Sequence, residues 1–374
     1  MTSDTYALSL PTELLYIIFR LTVSTVIPPS DAPPCQWPPF SDTLAPSREQ
    51  INAALRAKQA IAQVCRAWRP VAAALLYEEL IVTADNARIL MELLEPSPQE
   101  EATASGLGQH VRYIKTHPSF GGSQSAACGI TDFLRLCPNT ESISICKADA
   151  FPETRLPAAP TTVAGEIVRP IDDTTRASIA DALTSLKAIF WAKGPDDVQA
   201  RLAQVHFLLH ILELSPNVEF LSIPSSLDSM QQILSGLKAT RHALQGIKYL
   251  ELQSAGTFWV VPGPLWQEFL DLFPRLQEVS HYTLRPTIQK TVENHSVTSF
   301  RLGPYVPLED YDIATQEALL GAEVSALAGP GFSSLQRVVL SGDWSTFIHL
   351  PVLQTFEQDL VACGRQLIFT EGRS

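Results

Sequence analysis

The chain has 374 residues and a mass of 41.0 kDa, room for two or three ordinary domains, or for one small domain and an elongated array. Its 27 Lys and Arg stand against 39 Asp and Glu, a formal charge of −12 with a pI near 5.1, which argues against nucleic acid or an anionic membrane surface as partner. Hydrophobic residues make up 45% and charged residues 18%, too apolar for disorder and suited to helices and strands that bury one another in layers.

From Met1 to Leu10 the chain lacks the basic region and apolar core of a signal peptide, and no later stretch approaches the roughly 18 consecutive apolar residues of a membrane span. The six cysteines, at 35, 65, 128, 137, 146 and 363, form no C-x-x-C pair, so neither a disulfide framework nor a structural zinc site is indicated. Reduced thiols in a cytoplasmic or nuclear protein are expected.

Leu10 to Leu21 carries apolar residues at 10, 14, 15, 17, 18 and 21, which is helical spacing. Pro11 suits the first turn, where its missing donor costs nothing, and Glu13 suits the positive end of the dipole. Seven prolines then fall between Pro28 and Pro46, so that segment is a loop. Helical spacing returns from Ile51 to Ala62 and runs into Val64-Cys65-Arg66-Ala67-Trp68-Arg69-Pro70, where Pro70 restarts the helix. Leu15, Ile61 and Leu55 read as the core of this small bundle, and Cys65 as a buried, inert thiol. A unit this short has difficulty burying its whole apolar stripe, which leaves some of it for a partner helix or groove.

The remainder is a degenerate repeat. Phe133 to Ile145, Ile211 to Ile223 and Phe269 to His281 each read as a helix end, a proline stop and a short strand. The strand half has the form apolar-x-x-apolar-x-apolar, with first positions at 77, 111, 140, 186, 218, 247, 276, 297 and 335. Three of the intervals equal 29 residues. Helices are expected at 85–94, 130–136, 205–214, 230–237, 265–273 and 315–327, and an irregular, proline-bearing insertion at about 150–176. The fold class is α/β.

Two resemblances follow. Leu10-Pro11-x-Glu13-Leu14-Leu15-x-x-Ile18-Phe19 followed by Val64-Cys65-Arg66-x-Trp68-Arg69 resembles the F-box, a three-helix motif, over residues 8 to 80, with the Pro-rich loop at about 22–48 as an insertion. Residues 77 to 374 resemble an irregular leucine-rich-repeat solenoid, with short parallel strands on the concave face and helices outside. The asparagine or cysteine expected after each strand is mostly absent: Ala148 and Ser226 stand there.

The F-box resemblance implies a non-catalytic substrate-recognition subunit of an SCF-type ubiquitin ligase. It would dock on the Skp adaptor, and through it on cullin, while the repeat domain binds a target protein whose contact residues are not identified. Carried over by position, Leu10, Pro11, Leu14, Ile18, Val64, Cys65 and Trp68 lie at or immediately behind the adaptor interface. A non-ubiquitin interaction scaffold is the first alternative, and a metal-dependent hydrolase using His206 and His210, with Glu213, the remote one. No phosphate-binding, nucleophile-elbow or zinc-protease motif is present, and no cofactor is expected.

Overall fold

The computed structural model describes residues 10–22, 48–83, 86–95, 106–116, 130–145, 173–191, 208–224, 234–239, 241–253, 263–282, 292–303, 313–341, 344 and 350–370. The proline-rich loop at 23–47 and the insertion up to residue 172 lie outside the described residues, as does His206. The chain divides into two compact units, Met1–Lys187 and Ala188–Ser374.

The first unit opens with three helices, α1 (Thr12–Thr22), α2 (Arg48–Val64) and α3 (Arg69–Tyr77), the last two joined by a 3-10 turn at Arg66–Trp68. Pro70 falls in the first turn of α3, where a residue without an N–H removes no helical bond. There follow β1 (Glu79–Val82), α4 (Ala87–Leu94), β2 (Tyr113–Thr116), α5 (Ile130–Leu136), β3 (Ser142–Ile145) and α6 (Asp173–Ser185). β1 pairs with β2 and β2 with β3, all parallel.

The second unit comprises β4 (Ala188–Trp191), α7 (208–214), β5 (Phe220–Pro224), α8 (234–239), β6 (Tyr249–Gln253), α9 (Gly263–Leu270), β7 (Glu278–Tyr282), β8 (Ser299–Gly303), α10 (Ile313–Ala328), β9 (Arg337–Ser341), α11 (Pro351–Ala362) and β10 (Gln366–Thr370). Each strand pairs in parallel with the next in sequence. Parallel neighbours need a crossover to return the chain to the same end, and the intervening segments supply it.

All nine strand patterns read from the sequence fall on strands, and the register shows why one template served. The middle apolar residue of each strand stands opposite that of its neighbour: Leu80, Ile114 and Ile143 in the first unit, and Ile189, Leu221, Leu250, Val279, Phe300, Val338 and Leu367 in the second. Two residues on, Ile223, Leu252, His281, Leu302, Leu340 and Phe369 form a second row. Residues two apart share a face, so these rows make one apolar side of the strands in each unit, and most of their members are fully buried.

A second register device precedes the strands. The residue two before the middle apolar position runs Glu78, Arg112, Glu141, Lys187, Glu219 and Lys248 along the first six strands, and then Gln277, Thr298, Gln336 and Arg365 along the last four. Glu141 is bonded by Arg112 on one side and by Lys187 Nζ at 3.2 Å on the other, and Lys248 Nζ bonds Glu219 Oε1 at 2.5 Å. The main chain repeats the pairing, with Arg112 N donating to the Glu78 carbonyl and Lys248 N to the Glu219 carbonyl. Over these six strands alternating sign makes the native register attractive.

Three elements lay outside the sequence expectation. α6 takes the end of the stretch read as an insertion, and α11 and β10 continue beyond the last pattern. β10 has Gly364 where the template needs an apolar first residue. That glycine has φ +71°, a left-handed conformation that closes α11 without a Cβ penalty. Trp266, within the helix expected at 265–273, is buried in α9 beside Phe269 and His281.

Candidate docking surface

α1 is apolar on two sides, and the fold uses one of them. Leu15 and Phe19, one turn apart, are buried against Val71 and Leu75 of α3, with Tyr16, Ile61 and Trp68 packed at the margin. The Trp68 ring stands 4.7 Å from that of Phe19. This small core orients α1 so that Leu14, Ile17 and Ile18 face outward at 47%, 51% and 43% exposure, with Leu10 just before the helix also exposed. Residues three and four apart share a helical face, so these side chains make a continuous aliphatic stripe. Single exposed aliphatic residues are ordinary on a protein surface, whereas a cluster marks a surface that another molecule covers.

The residues chosen from the sequence divide accordingly. Leu10, Pro11, Leu14, Ile18 and Val64 are exposed, Val64 at 60%. Cys65 is half-buried and lies in extended backbone (φ −157°, ψ 164°) between α2 and the 3-10 turn, not within an apolar helix as the sequence suggested. Trp68 is half-buried and stacked on the core, immediately behind the surface. Leu55, read as core, is exposed. It stands nine residues before Val64, about two and a half turns, so the two project from opposite sides of α2 and cannot serve one flat interface. Ile17 was missed as a site residue; its signal was the i, i+3 relation to Leu14 within the same periodic pattern.

The position of these helices is backed by buried charge. Glu78, 2% exposed, accepts the Tyr16 hydroxyl at 2.9 Å and lies 3.0 Å from the Arg20 guanidinium. Burial, reinforced by the Glu78 charge and hydrogen bond, raises the Tyr16 pKa far above the phenolic range. Tyr113 on β2 is raised likewise, by burial and then by Glu78 and Glu141. Burial pulls the Lys58 ammonium of α2 down and pushes the Glu79 carboxyl up, each opposed in part by the other's charge.

These assignments separate cleanly by mutation. Leu15→Ala empties part of the core and is expected to cost about 2–4 kcal/mol in denaturant unfolding, whereas Leu14→Ala, one residue earlier, changes stability by about 0.5 kcal/mol or less.

The residues of the hydrolase alternative show a different arrangement. His210 Nδ1 is 3.7 Å and His242 Nε2 3.8 Å from the two oxygens of Glu213. Among the described residues no three His, Cys, Asp or Glu side chains are placed to hold a metal ion, and no helix is long and apolar enough to cross a membrane. No protein-family model matches the chain, and no curated protein matches it significantly.

Proposed function

We propose that this protein is a non-catalytic recognition subunit of an SCF-type ubiquitin ligase, docking on a Skp adaptor through its N-terminal helices and binding a target protein through its strand-and-helix array. The observation that carries the reading is the aliphatic stripe of Leu10, Leu14, Ile17 and Ile18, exposed on a helix whose opposite face is packed into a core. An amphipathic helix owes one apolar face to its own fold. A second one is what helix-in-groove recognition requires. The resemblance of the two flanking motifs to the F-box supplies the identity of the groove.

For the remainder, the leucine-rich-repeat-like solenoid is the arrangement that best accounts for sequence-ordered parallel strands, one row of matching apolar residues and helices in the connections. The subunit then acts by proximity, holding a target lysine near activated ubiquitin without chemistry of its own.

Purification of the tagged full chain from cells, followed by identification of what accompanies it, tests the proposal. Skp together with cullin is the expected result. Skp without cullin turns the reading toward a non-ubiquitin scaffold, and absence of both removes it.

A further inference from the structure

We propose that Glu78, where α3 passes into β1, is a charge clamp that fixes the angle at which α1 is held against the first strands. The core of Leu15, Phe19, Val71 and Leu75 attaches α1 to α3, but an apolar contact between two helices leaves rotation about it soft. The polar contacts act elsewhere. Tyr16 and Arg20 stand one turn apart on α1, with the guanidinium 5.8 Å from the Tyr16 ring centre, and both reach the Glu78 carboxylate. Arg20 also hydrogen-bonds Tyr113 of β2. The same Glu78 offers its main-chain carbonyl to the N–H groups of Arg112 and Tyr113, at 2.9 and 3.0 Å. One residue thus ties α1 through its side chain and β2 through its backbone.

Lys58 is 6% exposed, and the charges that favour its ammonium are Glu79 first and Glu78 second. Lys115 of β2 also faces Glu79. Three cations, Arg20 of α1, Lys58 of α2 and Lys115 of β2, are therefore set around two adjacent carboxylates. Buried ion pairs contribute little net stability after desolvation, yet they penalise any geometry that separates them, and the expected product of such a cluster is a unique orientation. On the docking proposal above, the clamp makes α1 and the first strands one rigid lever.

The test is a partner-free distance measurement, so it stands or fails independently of Skp capture. Spin labels carried on p-acetylphenylalanine are placed at Ile17 on α1 and Ile89 on α4, both exposed, in the full chain, and read by pulsed electron resonance. The parent is expected to give one narrow distance. Glu78→Gln and Arg20→Gln are expected to lose it to a broad distribution, and the swap of Arg20→Glu with Glu78→Arg to recover it, which general destabilisation would not do. Should Glu78→Gln fail to fold, Tyr16→Phe, which removes one hydroxyl, decides the matter. A narrow, unshifted distance in a folded Glu78→Gln or Tyr16→Phe protein overturns the clamp.

Discussion

Replacing Leu14 and Ile18 by Asp is expected to abolish capture of Skp while leaving the thermal transition of the protein nearly unmoved. Both side chains are more than two-fifths exposed, so the folded state gives up little when they become polar. In the proposed complex each would fill an apolar groove, and a buried aliphatic anchor is worth about 2 kcal/mol. Two anchors amount to about 4 kcal/mol, roughly a thousandfold in Kd, before the added cost of burying two carboxylates. Isothermal titration with purified Skp and a melting curve on the same preparation measure both halves. Trp68 is deliberately left intact, because its ring packs on Phe19 and its loss would confuse folding with binding. Binding by the folded double variant at parental affinity would remove α1 from the interface.

The second large effect concerns the core of the second unit. Glu323→Ala is expected to destabilise that unit by about 3 kcal/mol, read as a shift of the denaturant midpoint at unchanged slope. His281 Nε2 lies 2.9 Å from Glu323 Oε1, and the two side chains are 3% and 1% exposed. Removing the carboxylate leaves a buried imidazole beside Trp266 and Phe300 without it. The row containing His281 holds Leu252 on one side and Leu302 on the other, so an aliphatic residue fits there by precedent. The double replacement His281→Leu with Glu323→Leu is accordingly expected to recover most of the loss. A double variant as unstable as the single one would show that the pair carries a structural role beyond the contact between the two side chains.

The strands were legible because their apolar pattern answers a purely local rule. A residue two places from another shares its face, and the buried face must be apolar, so one six-residue template found nine strands. β10 escaped because Gly364 occupies the template's first place for a backbone reason, the left-handed close of α11. α6 escaped because only Ile179, Ala182 and Leu183 are buried along it, too sparse a stripe for periodicity to find. The alternating Glu78, Arg112, Glu141 and Lys187 were visible as letters, but as scattered charges with no register to connect them.

The docking surface divides in the same way. That the segment from Leu10 to Leu21 is a helix with surplus apolar residues follows from its sequence alone, as does the pause at Pro70. Which apolar face goes inward does not. Leu14 and Leu15, or Ile18 and Phe19, are interchangeable to any measure of periodicity, and the choice depends on the partner surface that Val71 and Leu75 present from α3. The Glu78 carboxylate adds its own condition, since Tyr16 and Arg20 meet it only in that rotation. Local pattern thus set the elements and their surplus of apolar surface, and tertiary packing alone decided which part of that surplus faces solvent, because burial is a property of two surfaces in contact and a sequence displays them one at a time.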